Sequence, residues 1–209
     1  MSGRFVTVEG IEGAGKTSCL TFLRSRLEAA GKRVVQTREP GGTPLGEEVR
    51  DLLLDHRAGG MTDDAELLLV FAARAEHVAR VIRPALAAGD WVICDRFTDA
   101  TYAYQGGGRG IENERIAVLE HWVQGNLRPD LTVVLDVPVD VGLARAGARS
   151  APDRFESEQA AFHAAVRDTY LRIAAREPQR VRLVDAARPL AAVQASLAQA
   201  IDGFLARVG

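Results

Sequence analysis

Residues Gly10–Thr17 read GIEGAGKT, with glycine at the first and sixth places followed by lysine and threonine. The pattern G-x-x-x-x-G-K-[ST] is what a chain needs to wrap a phosphate. Glycines around Gly13–Gly15 keep Cβ atoms out of the loop, so successive backbone N–H groups can face one anion. A helix opening directly behind the loop adds the partial positive charge of its N-terminus. Lys16 then reaches the outer phosphates, and the Thr17 hydroxyl suits a Mg²⁺ ion. The expected phosphate-binding set is Gly10, Ile11, Glu12, Gly13, Ala14, Gly15, Lys16 and Thr17. Lys16 and Lys32 are the only lysines among 26 basic residues, so a lysine here stands out against an arginine-rich background. A P-loop alone does not choose between kinase, ATPase and GTPase. The chain has no Asn-Lys-x-Asp segment of the kind that selects guanine, which argues against a switch GTPase.

Two further groups carry charge suited to phosphoryl chemistry. Asp95-Arg96-Phe97 closes the apolar run Trp91–Asp95. The carboxyl ends of strands in an open parallel sheet face the ligand crevice. An acid there can position Mg²⁺ or its waters, and a guanidinium can fork onto phosphate oxygens. A plain strand-terminating salt bridge reads equally well from these residues alone. Arg145, Arg149 and Arg154 fall in RAGARSAPDRFE, a break containing Pro and Ser between two helical patterns. Phosphoryl transfer needs charge against the equatorial oxygens and exclusion of water. A mobile arginine lid over about residues 145–156 supplies both; a solvated basic loop is the plainer alternative. The expectation is that Arg149 or Arg154 meets the transferring group when the lid closes, with Arg145 mattering less.

The elements that must hold these groups alternate along the chain. Short apolar runs at Phe5–Val8, Arg33–Thr37, Trp91–Asp95, Leu131–Asp136 and Val181–Val184 read as strands buried on both faces. Helical patterns lie between them at Lys16–Ala30, Pro44–Asp55, Asp63–Ala88, Asn113–Gly125, Val139–Ala148, Glu156–Arg176 and Pro189–Arg207. Gly41–Gly42, Gly59–Gly60 and Gly106–Gly110 read as loops. The expectation is an α/β fold in three layers, with five parallel strands flanked by helices in a single domain spanning 1–209.

Within this framework TREPGGT (Thr37–Thr43), DRF (Asp95–Phe97), AYQGGGRG (Ala103–Gly110) and LRPDLTVVLD (Leu127–Asp136) follow the P-loop in order. From about Phe5 to about Tyr170 the chain resembles bacterial thymidylate kinases, of the type that carries its extra basic residues in the lid. The resemblance implies the P-loop nucleoside-monophosphate kinase fold, transfer of the ATP γ-phosphoryl group to dTMP, Mg²⁺ dependence and a homodimer. It also implies roles. Arg96 holds the acceptor phosphate with Arg50 near it, and Arg74 reads the thymine edge. Thr101 and Gln105 line the base pocket, Glu12 approaches the sugar hydroxyl, and Glu39 with Pro40 closes that side. Taken alone, Arg50 and Arg74 read as solvated helix positions. The family's stacking aromatic stands four residues before the base-reading arginine, where this chain has Val70. Phe71, three before Arg74, shares the same helix face and is the expected thymine contact; in the alternative, Phe71 is core and Val70 packs against the base.

Composition narrows what remains. A net charge of −2 does not point to nucleic acid. Cys19 and Cys94 give no disulfide framework and suit a reducing compartment. The N-terminus lacks a signal-like apolar stretch and no segment is long enough to span a bilayer, so a cytoplasmic enzyme without membrane partners is expected. The four histidines show no metal-ligand spacing, and Trp91 and Trp122 read as core or interface. Small-molecule partners ATP and dTMP are expected, with Thr17 and Asp95 the Mg²⁺ candidates. The competing readings are another nucleoside or nucleotide kinase and, further off, a P-loop ATPase switch.

Overall fold

The computed structural model describes residues 3–56, 59–148 and 153–208. β1 (Phe5–Glu9) is buried along its whole length, because its β-branched and aromatic side chains have helices on both faces of the sheet. α1 (Lys16–Ala29) follows the glycine loop, and β2 (Val34–Arg38) returns at a half-exposed edge. Thr43 caps α2 (Pro44–Leu54), its side chain accepting from Gly46 N, with Pro44 at the first helical position. Thr62 likewise caps α3 (Asp63–His77), whose first turn carries Asp63, Asp64 and Glu66 against the helix dipole.

The single helix expected over Asp63–Ala88 is interrupted. α3 passes into a π-helical turn at Val78–Ile82 before α4 (Arg83–Ala87). Pro84 has no N–H to offer the Arg80 carbonyl, and a widened turn just before it accommodates the lost bond. β3 (Trp91–Asp95) then enters the sheet, followed by the short α5 (Thr98–Thr101). The AYQGGGRG segment, expected as a loop at its glycines, is a π-helical turn over Tyr102–Gly108. Its glycines serve close packing. A Cβ on Gly107 would lie 2.3 Å from Thr169 Oγ1, and one on Gly108 would lie 2.4 Å from the Phe162 ring.

α6 (Asn113–Gln124), β4 (Leu131–Asp136) and α7 (Val139–Gly147) follow as expected to within a residue. α8 (Ala160–Arg176) starts later than the sequence pattern indicates. The Asp153 carboxylate accepts from the backbone N–H groups of Phe155 and Glu156, both at 2.9 Å, which favours a tight turn over a helical start. β5 (Val181–Asp185) and α9 (Leu190–Val208) complete the chain.

All pairings in the five-stranded sheet are parallel, in the order β2-β3-β1-β4-β5. The register aligns Arg38 with Asp95 and Asp95 with Val8. The carboxyl ends of β2, β3 and β1 therefore bring Arg38, Asp95 and Glu9 into one neighbourhood. The main core lies between the sheet and α1, α8 and α9, around Leu23, Leu27, Val166 and Leu197. No helix among the described residues is long and apolar enough to cross a membrane.

The loop between β1 and α1 is braced from behind by α7. Gly13 has φ 69°, and a Cβ there would lie 1.9 Å from Gly142 O. Gly13→Ala combines a left-handed backbone with a backbone clash, so a loss of about 1–3 kcal/mol or more is expected. Thermal melts that match the parent would show that α7 does not brace the loop.

Candidate active site

Left-handed glycines shape the phosphate loop, with Gly13 and Gly15 at φ 69° and 88°. Added Cβ at Gly15 would meet nothing within 4 Å, so this side of the loop is open. Gly15 is also the N-cap of α1. It offers no capping side chain, and the first turn carries no acid, which leaves the helix N–H groups available to an anion. Lys16 Nζ donates to Gly10 O at 3.3 Å and Ile11 O at 3.2 Å. Burial of its ammonium and the nearby Arg96 guanidinium lower the Lys16 pKa, opposed by Asp95, Glu12 and Glu9. Gly10, Ile11 and Ala14 act from behind: Ile11 and Ala14 are core side chains, and a Cβ on Gly10 would meet Leu135 O at 2.6 Å.

The end of β3 turns sharply into this loop. Arg96 is the one non-glycine residue with positive φ among those described, at 68°. Its N–H donates to Val8 O, and the next N–H, from Phe97, donates to Glu9 Oε1 at 2.7 Å. Arg96 Nη2 then reaches Glu12 Oε1 at 2.9 Å, and Nη1 reaches the Tyr170 hydroxyl at 3.3 Å. Tyr104 donates to the same Glu12 oxygen at 2.6 Å, its ring 4.6 Å beneath the guanidinium. Burial alone would raise the Glu12 pKa, but Arg96, the His163 ring, Lys16 and Tyr104 together hold it well below the usual carboxylate range. Asp95 Oδ1 is buried with no hydrogen-bond partner. Glu9 is the opposite case to Glu12: burial, aided by the charge of Asp99, pushes it up to about 8. Tyr104, Tyr170 and Glu9 join this network though the sequence pattern did not single them out.

A second buried network underlies the far side of the cavity. Arg74 is 2% exposed; its Nε donates to Glu39 Oε2 at 2.7 Å and its Nη2 to Thr101 Oγ1 at 2.9 Å. Arg74 Nη1 makes only a 3.5 Å contact with Gln124 and keeps capacity for another acceptor. His77 joins Glu39 Oε1 at 2.8 Å to Thr37 Oγ1 at 2.7 Å. Arg74 is therefore no solvated helix position; it is the floor of a pocket. Arg50 donates to Pro40 O at 3.0 Å, and Gln105 Nε2 to Glu66 Oε1 at 2.8 Å.

These two networks face one cavity of about 670 Å³. Glu12, Gly13, Gly15, Lys16, Thr17, Asp95 and Arg96 line one end. Glu39, Pro40, Arg50, Arg74, Thr101 and Gln105 line the other, joined by Arg38 and Tyr104. Phe71 does not line it. Its ring packs in a core cluster with Leu67, Ile111 and Ile116, while Val70 faces the cavity. The expectation for Phe71 is corrected: spacing of three and four both keep a helix face, but α6 packs against α3 and takes the larger side chain.

The lid also differs from expectation. Arg149 lies outside the described residues. Arg154 turns away from the cavity, with Nη1 2.7 Å from Glu66 Oε2 and Nε 2.7 Å from Leu53 O. It thereby caps the carbonyl end of α2 and pairs with a fully buried carboxylate, two strong claims on a guanidinium. Arg145, expected to matter less, does line the cavity, as do Asp153, Phe155 and Glu156.

A five-stranded parallel sheet with a glycine-lysine phosphate loop at its carboxyl edge, and an arginine-lined pocket opening from it, defines a P-loop phosphotransferase. The thymidylate kinase family model matches residues 8–197. The thymidylate kinase of Pseudomonas syringae pv. tomato (strain ATCC BAA-871 / DC3000) is 62% identical, over 98% of each chain. That of Pseudomonas entomophila (strain L48) is 61% identical over 99% of each. The crystal structure of thymidylate kinase from Ehrlichia chaffeensis superposes with a TM-score of 0.72 at 38% identity, covering 88% of this chain and 93% of that one. The chain belongs to the thymidylate kinase family.

Two outcomes follow from the packing and charge. Phe71→Ala should cost about 3–5 kcal/mol of stability by leaving a core cavity, whereas Val70→Ala should leave melting nearly unchanged and weaken acceptor binding. Equal kinetic and thermal effects of the two would return Phe71 to the pocket. For Glu9, the folded value of about 8 lies above its ordinary 4.5, so the folded chain binds that proton more tightly. Its contribution is full below pH 4.5 and is lost as pH rises toward about 8. Glu9→Gln removes this dependence, and its melting temperature should gain on the parent's across that window. A constant difference from pH 5 to 8 would contradict the buried-acid account.

Proposed function

We infer that this chain transfers the γ-phosphoryl group of ATP to the phosphate of dTMP, yielding dTDP and ADP on the route to dTTP. The observation that carries the reading is the single cavity, with the P-loop at one end and the Glu39–Arg74–Thr101 network at the other. An ATP whose phosphates lie in the P-loop and a nucleotide whose base lies over Arg74 meet phosphate to phosphate beside Arg96.

Phosphoryl transfer passes through a loose transition state with little covalent work for the protein, so positioning and electrostatics do most of it. Lys16 and the α1 N–H groups hold the donor phosphates. Arg96 and Arg50 hold the acceptor phosphate, and Arg96 lies close enough to share developing charge with Lys16. Arg74 Nη1 offers the thymine edge a donor, Thr101 and Gln105 complete the polar lining, and Val70 packs on the base. Glu12 accepts the sugar hydroxyl, while Glu39 and Pro40 close that side. A Mg²⁺ carried with ATP would be held by the Thr17 hydroxyl and the unpaired Asp95 Oδ1, and would neutralise phosphate oxygens. The segment around 145–156 acts as the lid, with Arg145 and Arg149 at the phosphates and Arg154 released from Glu66 on closure.

The reading extends to one catalytic domain over 1–209, working in the cytoplasm as a homodimer. The support for a dimer is the apolar set Leu68 on α3 and Val118 and Trp122 on α6, the last 79% exposed. Such side chains on packed neighbouring helices suit a partner surface.

The test is ADP release from ATP with each nucleoside monophosphate in turn. Strong stimulation by dTMP is expected. dUMP should follow more weakly, since one methyl in an apolar pocket is worth about 1–3 kcal/mol. A preference for AMP or CMP would overturn the acceptor. Lys16→Ala should abolish turnover with the melt unchanged, and near-normal turnover would remove the P-loop role. Replacing both Arg149 and Arg154 by Ala should lower kcat on the order of 10³ with little change in KM. If that pair costs only a few-fold, the lid covers the site and Arg145 or Arg96 supplies the charge.

A further inference from the structure

His163, in the first turns of α8, is fully buried, and neither ring nitrogen makes a hydrogen bond. Its Nδ1 stands 3.4 Å from Glu12 Oε2. That carboxylate oxygen is itself buried without a hydrogen bond. The other oxygen, Oε1, already accepts from Arg96 Nη2 and from the Tyr104 hydroxyl. A buried ring with unmet polar atoms is less stable than an apolar ring of similar bulk, so packing does not account for a histidine here. Two unmet groups facing each other beside the reaction site have a joint explanation. The neutral Nδ1–H tautomer gives Glu12 a donor and leaves only one lone pair of the imidazole unfilled.

We propose that His163 is a positioning residue for Glu12: closing from Nδ1 onto Oε2, it holds the carboxylate in the orientation that receives the sugar hydroxyl of the acceptor nucleotide. This rests on the reading of Glu12 as the sugar-facing group. Arg96 and Tyr104 hold Glu12 through one oxygen only, which leaves the carboxylate plane free to rotate about that anchor. A donor on the second oxygen removes the rotation, and a substrate hydroxyl then meets a lone pair already aimed at it. The ring sits on α8, which begins at Ala160 just after the turn holding the cavity residues Asp153, Phe155 and Glu156.

The experiment compares His163→Phe, His163→Asn, Glu12→Gln and the Phe–Gln double variant, with dTMP and ATP each varied at saturating partner. Asn carries its side-chain N–H at the same bond distance from Cβ as Nδ1. His163→Phe is expected to raise KM for dTMP about tenfold, the scale of a lost hydrogen bond to a charged group, with KM for ATP within about twofold. Its melting temperature should equal or exceed the parent's, a result a merely structural histidine would not give. His163→Asn should restore most of the dTMP affinity, and the His163→Phe effect should vanish in the Glu12→Gln background. Parental KM for dTMP in His163→Phe, or effects that multiply independently with Glu12→Gln, would overturn the proposal. So would loss of both affinities with a lowered melt that Asn does not repair. If His163→Phe does not fold, His163→Leu against His163→Asn gives the same decision. Parental kinetics in Glu12→Gln alone would instead remove the sugar-facing role of Glu12, a failure recognisable without any His163 variant.

Discussion

Arg96 carries a positive charge at a point where the backbone is left-handed and the surroundings are largely dry, and much of the site is arranged around that fact. A non-glycine residue at positive φ is disfavoured, and it persists only where neighbours over-determine it. Here Val8 O, the Glu9 carboxyl through Phe97 N, and Glu12 through the guanidinium all fix the same turn. The distortion aims the side chain back across the end of the sheet, toward the phosphate loop, where an unstrained strand end would send it elsewhere.

Two carboxyls fix this turn, Glu12 through the guanidinium and Glu9 through Phe97 N, and they differ in charge for a physical reason. Glu12 faces Arg96, Lys16 and Tyr104 and stays ionised despite its burial. Glu9 lies deeper, with Asp99 near it, and burial wins. A buried ion pair contributes little net stability once desolvation is counted, and breaking one partner is costly. The Glu12–Arg96 pair is better understood as preorganisation, since charge held in place before substrate arrives needs no reorganisation during transfer. In the Glu39–Arg74–His77 network, farther along the cavity, each group likewise fixes the next.

Glu66 plays a third part, between the cavity wall and the turn before α8. It is buried and accepts from Gln105, Arg109 and Arg154. Gln105 belongs to the cavity wall and Arg154 to the turn before α8, so one carboxylate links them. Two guanidiniums, Arg109 and Arg154, share its buried charge.

The sequence by itself determined the chemistry of the phosphate loop and the placing of the sheet. GIEGAGKT has a local reason for every fixed residue, and the strands carry their burial in continuous apolar runs, so β3 and β4 fall where their composition says. Thr43 and Thr62 mark helix starts through bonds only three residues long. The resemblance carried by the motif set implied Arg74, Thr101, Gln105 and Glu39 as pocket residues, and all four line one cavity. Tertiary structure alone decided the rest. Glu9 meets Tyr170 across 161 residues and Glu12 meets Arg96 across 84, distances over which no local pattern reports a contact. Phe71 and Val70 stand three and four residues before Arg74, spacings that both keep its helix face, and only the approach of α6 chose which is core. Arg154 had the composition of a lid residue, yet a buried Glu66 some ninety positions earlier accepts from its guanidinium, a contact that no local pattern reports.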